Sequence, residues 1–350
     1  MVNKYVEFSK DNPFSSQAKM IIHIDRLYEY LTKNDTRPIF MELNLTDFCN
    51  LKCEWCISGN RVGTASLEIE DLKKFLKDFQ EMGGKAVTFS GGGEPTTYKH
   101  FVEAAEYAKN IGLDLGLMTN GVFNSKLIEC IGTKFNWIRI SLDTVNRETY
   151  KRLKKVDGVD IVLRNLKDLV DYPVKVGVNS NIIKEYTVDD IKALIDAVLP
   201  HASYLQFRPV LPCFFRSERP DLNQPVWDYL IENHSNNEKI NLSNDKLNDI
   251  LYQRDFPFRY CEGHFFSPIL NANGDIAVCM YHPGDTRFVF GNIYLSSFKE
   301  IWESEKRQKA IEFVRSLDYK ENCQMCCKLT EINKLVDFIK YSKIEDANFL

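Results

Sequence analysis

No uninterrupted apolar run in this chain is long enough to span a bilayer. It also lacks a basic block: 45 Lys and Arg stand against 49 Asp and Glu, for a formal net charge of −4. The first absence argues against a membrane anchor. The second removes the electrostatic footprint of a general nucleic-acid binder. The opening segment MVNKYVEFSKDNPF has none of the apolar core of a secretory signal, and there is no internal repeat or low-complexity tract. What is left is an ordinary globular composition, 44% hydrophobic and 27% charged. Its 350 residues suffice for one barrel-sized domain and a smaller one. Ten cysteines without a secretory signal point to a reducing, cytoplasmic setting and to metal binding or catalysis rather than disulfides.

Three of those cysteines, Cys49, Cys53 and Cys56, lie in FMELNLTDFCNLKCEWC and read CxxxCxxC. The spacing supplies three thiolates. A cubane cluster usually takes four, so one iron would keep open positions for an outside ligand. Half of a zinc site is the competing reading of such a motif. The run before it has the pattern of a buried strand, which places the cysteines on a loop at a strand's C-terminal end, where barrel enzymes carry their chemistry. About 35 residues on, a second apolar run flows into Ser90-Gly91-Gly92-Gly93-Glu94-Pro95-Thr96. Adjacent glycines permit close approach of a ligand to backbone, and Glu94 offers a carboxylate suited to an ammonium group.

Together these two segments resemble the radical S-adenosylmethionine (SAM) superfamily. The resemblance implies a [4Fe–4S] cluster on Cys49, Cys53 and Cys56, with SAM chelated at its open iron. It implies that Gly91, Gly92, Gly93 and Glu94 hold the SAM amino group. It further implies an electron from an external flavodoxin- or ferredoxin-type reductant, cleavage of SAM, and hydrogen-atom abstraction by a 5′-deoxyadenosyl radical. Trp55, between two of the cysteines, is expected beside the adenine or as a cap on the loop. Thr119, Asn120, Ser141, Asp143 and Asn179 end later strands and are expected to contact SAM.

From residue 39 the pattern alternates strand and helix. It predicts strands at Phe40–Asp47, Ala86–Phe89, Leu113–Thr119, Trp137–Leu142, Val174–Ile183 and Tyr204–Val210, with a helix over Ser66–Met82. Six such units predict an α/β fold, an open partial (β/α)6 TIM-like barrel, which the superfamily's architecture matches. The expected division is an N-terminal helical extension covering the barrel (1–38), the barrel (39–212), a bridge (213–259) and a small C-terminal domain (260–350). In the sixth strand Gln206 and Arg208 share one face. An inward Arg208 suits an anionic substrate or the SAM carboxylate.

The C-terminal part holds Cys261, Cys279, Cys323 and Cys326, with Asn273-Gly274-Asp275 as turn chemistry between the first two. Four thiolates complete either a cubane or a tetrahedral zinc site. NGDIAVC, GNIYLSSFKEIW and CQMC resemble the SPASM/twitch extension of radical SAM proteins, which implies an auxiliary [4Fe–4S] cluster of the one-cluster, twitch form. Cys130 reads as a core residue. Cys213, near the barrel mouth, and Cys327 are candidate hydrogen-atom donors. The reading that follows is oxidation of a polar small molecule such as a sugar, cyclitol or nucleotide-linked sugar. Its alternatives are epimerisation through a cysteine donor, modification of a ribosomal peptide, and, outside enzymes, a zinc or iron–sulfur scaffold.

Overall fold

The computed structural model describes residues 16–56, 58, 64–210, 222–242, 258–323 and 327–342. The six expected strands are present: β1 (Phe40–Asn44), β2 (Ala86–Ser90), β3 (Asp114–Thr119), β4 (Trp137–Ser141), β5 (Lys175–Ile182) and β6 (Tyr204–Pro209). They pair in parallel and in sequence order, each to the next. This is the partial (β/α)6 barrel. It is longer than the alternation predicted. The bridge adds β7 (Ile240–Asn241) in parallel beyond β6. At the opposite edge β8 (Ile269–Leu270) pairs in parallel with β1. The antiparallel strands β9 (Asp275–Ala277) and β10 (Val289–Asn292) extend that edge. Strands too short for a periodic signal were invisible to the alternation.

Register gives the sheet two chemically opposite faces, because side chains alternate along each strand. One face carries Leu43, Phe89, Leu117, Ile140, Val178 and Phe207, all inaccessible to solvent and packed with the helices in one core. The helix Ile69–Glu81 shows why it joins that core: Leu72, Phe75, Leu76 and Phe79 recur at helical spacing and all are buried. The other face is polar toward the C-terminal strand ends: Asn44 and Ser90 are paired, as are Ser141 with Asn179, Asn179 with Gln206, and Asn181 with Arg208. Lower down, Trp137 and Tyr204 fill the interior. Gly116 and Gly177 make room for them, since a Cβ there would lie 2.3 Å from the Trp137 ring and 2.0 Å from the Tyr204 ring.

The C-terminal residues are continuous with the barrel. Ile276, Val278, Phe290, Phe298 and Ile301 belong to the same core as the barrel strands. Phe298 sits edge-on against Phe75 and Phe79, at 5.2 and 5.9 Å between ring centres. The N-terminal extension departs from expectation. It is two helices, Ser16–Ile22 and Ile24–Lys33, and its apolar side covers mainly the C-terminal domain rather than the barrel. Leu27 and Tyr30 join Phe265, Phe266, Ile311, Leu335 and Val336 in a second core. Toward the barrel, Arg26 donates to the Gly83 carbonyl, just beyond the helix Ile69–Glu81, at 3.1 Å.

Candidate active site

The cysteine loop leaves β1 and is tied to two neighbours. On one side it meets the glycine loop backbone to backbone: Gly93 N donates to Thr46 O and Glu94 N to Phe48 O, both at 2.9 Å. A Cβ on Gly93 would stand 2.0 Å from Phe48 O, so only glycine permits this approach. The glycine at this position is therefore needed for packing of one loop against the other, whatever the loop also does for a ligand. On the other side Lys52 N and Glu54 N, flanking Cys53, donate to Lys154 O and Leu153 O at 3.1 and 3.2 Å. These carbonyls end the helix Arg147–Lys154, so the loop caps that helix.

Glu94 is engaged by protein donors on both carboxylate oxygens. Its carboxylate is buried and turned toward the strand ends. Oε1 accepts from Thr96 N (3.1 Å), Thr96 Oγ1 (2.7 Å) and Thr119 Oγ1 (2.6 Å), and Oε2 accepts from Asn120 N (2.7 Å). Four donors match the lone-pair sites of a carboxylate. Burial pushes the Glu94 carboxyl up, and these bonds offset that only in part. In this geometry Glu94 clamps β2 to β3, with three of its four donors on Oε1 and one on Oε2.

Thr119 is thus engaged by Glu94. Asn120 reaches the cysteine loop, donating to Asn50 Oδ1 at 2.7 Å and standing 4.0 Å from Cys49 Sγ. Asp143 and Lys154 form a buried ion pair with side-chain exposures of 0% and 3%. Asp143 Oδ1 also accepts from Asn181 N (2.7 Å) and Asn181 Nδ2 (3.1 Å). The Lys154 ammonium lies 5.2 Å from the centre of the Trp55 ring. Burial works against that ammonium, but the Asp143 carboxylate beside it holds its pKa above the ordinary value. Burial pushes the free Cys49 thiol up and the Cys53 thiol up to about 11. Ser141 is half-buried beside Asn179, whose buried Oδ1 has no hydrogen-bond partner among the described residues. Arg208 is half-buried next to Asn181. Strand five therefore contributes Asn181 as well as Asn179, and Lys154 was not singled out from sequence. A lysine in a helix reading TYKRLKK gives no local sign of which of its neighbours turns inward.

In the second cysteine set, Cys261 is held by Asn333. Its Oδ1 accepts from Glu262 N (2.8 Å) and Gly263 N (2.6 Å), and its Nδ2 points to Cys261 Sγ at 3.6 Å. Burial, with the neighbouring thiols of Cys327, Cys323 and Cys279, raises the Cys261 thiol well above its usual range. A water-sized cavity of about 20 Å³ is lined by Cys279, Tyr281, Cys327 and Lys328. Lys328 pairs with Glu42 of β1, and burial pushes the Tyr281 phenol up with Cys327, Arg208 and Glu42 as charged neighbours. The second set thus faces the polar side of the sheet. Cys327 stands with Cys261, Cys279 and Cys323, whereas Cys326 and Cys213 lie outside the described residues. Cys130 is a buried core residue.

Both donor sets fit iron–sulfur clusters. The first offers three thiols on one loop, with an unpartnered buried acceptor, Asn179 Oδ1, at the strand ends nearby. The second offers a buried thiol among three others, with an amide directed at its sulfur. Among the described residues no three metal-binding side chains converge on a single-ion site. None of the described helices is long and apolar enough to cross a membrane.

Residues 43–198 match the family model of the Radical SAM superfamily, and residues 261–327 match that of an iron–sulfur cluster-binding domain, SPASM. Curated relatives include a GTP 3',8-cyclase of Clostridium perfringens, 25% identical over 49% of this chain and 55% of its own length. Another is a probable GTP 3',8-cyclase of Pyrococcus abyssi, 31% identical over 45% of this chain and 53% of its own. A third is the Fe-coproporphyrin III synthase of Methanosarcina barkeri, 32% identical over 46% and 41%. The chain spans about half the length of the curated relatives it matches. Among solved structures, Streptococcus suis SuiB bound to S-adenosylmethionine superposes with a TM-score of 0.65 at 18% identity, covering 93% of this chain and 78% of SuiB. The protein anSMEcpe with bound AdoMet gives 0.58 at 17% identity, covering 87% and 96%. These two likenesses are likenesses of fold.

Proposed function

The chain belongs to the radical SAM superfamily and carries a SPASM-type iron–sulfur domain, and from that premise we propose that it modifies a ribosomally made peptide held between its two cysteine sites. The observation that carries the reading is the polar face of the sheet. Asn179, Asn181, Gln206 and Arg208 line it at the strand ends, and Tyr281 of the C-terminal domain faces it from the auxiliary cysteines. A substrate there lies within reach of both sites.

A cluster on Cys49, Cys53 and Cys56 supplies, when reduced, the electron that cleaves SAM to a hydrogen-abstracting radical. In this reading Asn179 and Ser141 orient SAM, while Arg208 meets a carboxylate of the substrate. Cys261, Cys279 and Cys323 hold the auxiliary cluster, and the position of Cys327 beside them favours it as a further ligand over a hydrogen donor. That leaves Cys213 as the thiol to test for donation. The peptide reading draws on SuiB, whose structure is known with a precursor peptide, SuiA. The curated relatives named above are cyclases and a porphyrin synthase rather than sugar dehydrogenases. A second reading, a small anionic substrate such as a nucleotide, is favoured by Arg139 and Arg208 on the polar face and by the GTP 3',8-cyclases among the relatives.

Anaerobic reconstitution with iron, sulfide, SAM and a strong reductant tests both. Candidate peptides encoded beside the gene, GTP and nucleotide sugars are each scored for 5′-deoxyadenosine and for a product mass change. A peptide product two mass units lighter indicates oxidation or cross-linking, and one deuterium gained in D2O at otherwise unchanged mass indicates epimerisation. Turnover of a nucleotide with none of the peptides transfers the assignment to the second reading.

A further inference from the structure

Lys154 is a buried cation set against the cysteine loop, and none of the roles assigned so far uses it. Among the described residues it is the one buried lysine. Its backbone carbonyl accepts from Lys52 N, its ammonium pairs with Asp143, and the same ammonium lies 5.2 Å from the centre of the Trp55 ring. It therefore touches the loop through the backbone on one side of Cys53 and through an aromatic ring on the other. The carbonyl end of the helix it terminates carries partial negative charge and by itself opposes anionic thiolates. The ammonium sets a positive charge beside that helix end, opposing its partial negative charge. The ion pair is not symmetric toward the loop: the ammonium faces the Trp55 ring, whereas Asp143 Oδ1 accepts from Asn181 of strand five.

The potential of an iron–sulfur cluster follows its surroundings, including net charge, donors to sulfur and exposure. Adding an electron makes the site more negative, and a nearby cation in a dry environment favours that form. We propose that Lys154 is a positioning residue that raises the reduction potential of the cluster held by Cys49, Cys53 and Cys56, with Asp143 fixing and partly opposing its charge. The proposal rests on the placement of a cluster at those three cysteines.

The test is an anaerobic redox titration of the full reconstituted chain, followed by electron paramagnetic resonance. The signal tracked is the one whose shape changes when SAM is added. Lys154→Met is expected to shift the midpoint to a more negative value, Lys154→Arg to leave it near the parent, and Asp143→Asn to shift it to a more positive value. Opposite shifts from the two halves of one ion pair are not what a folding defect produces. Midpoints of Lys154→Met and Asp143→Asn that both match the parent, or that move in the same direction, overturn the proposal. If Lys154→Met fails to take up iron, Asp143→Asn decides, and the absence of a positive shift there overturns it. A parent protein without a SAM-responsive signal would instead overturn the cluster placement at Cys49, Cys53 and Cys56.

Discussion

Glu94 shows how far a motif can be read and where it stops. The carboxylate after three glycines is visible in the sequence, but its direction depends on Thr119 and Asn120, which arrive from the next strand. With four donors on it, Glu94→Ala leaves several buried donors unpaired and should destabilise the protein before any ligand is added. The expected loss is about 2–4 kcal/mol, since each stranded buried group costs about 1–3 kcal/mol. Denaturant unfolding of the metal-free chain measures it. Unchanged stability together with weakened SAM binding would instead assign Glu94 to the ammonium. Other residues were legible for a plain reason. Cys49, Cys53 and Cys56 are local in sequence, and the alternation of Gln206 and Arg208 in strand six is local too. Lys154 and Asn333 were not, because both sit on helices and their burial is decided by what packs across from them.

The connections after the strands are built from side-chain amides that satisfy backbone carbonyls. Asn165, fully buried on the helix Val159–Asp168, donates to Gly121 O at 3.0 Å and Phe123 O at 2.9 Å. Asn223 does the same for Ile183, Lys184 and Tyr186, at 3.0, 3.0 and 2.7 Å. Neither role has a sequence signal, since an asparagine near a helix reads first as a cap. Asn165→Leu strands two buried carbonyls beside the loop that follows Asn120, for an expected loss of about 2–4 kcal/mol. Because Asn120 also bonds to Asn50 of the cysteine loop, iron uptake at the first site should fall as well. A thermal melt and an iron count on the same preparation check both. A variant with parental melting and parental iron would show that the loop holds itself. The barrel strands themselves were legible within a few residues. The helix after the cysteine loop runs Ile69–Glu81 where Ser66–Met82 was expected, because Ser66 instead bridges back to Thr46.

At the scale of the whole molecule, the alternation of strands foretold the partial barrel but not its extension into a sheet of ten strands among the described residues. Two-residue strands such as β7 and β8 carry no periodicity, and only the partner strand makes them strands. The consequence is that β1, from which the first cysteine loop hangs, has β2 on one side and β8 on the other. A chain stopped after residue 260 leaves that second edge open, and an unpaired apolar edge is an aggregation template. Such a truncation should elute from size exclusion as large assemblies; a well-behaved monomer would show that β1 does not need its late partner. The same topology sets an order of events in the cell. At ordinary elongation rates the ribosome reaches Ile269 on the order of ten seconds or more after Asn44. The strand from which the first cysteine loop hangs thus waits, half-paired, until its late partner has been made.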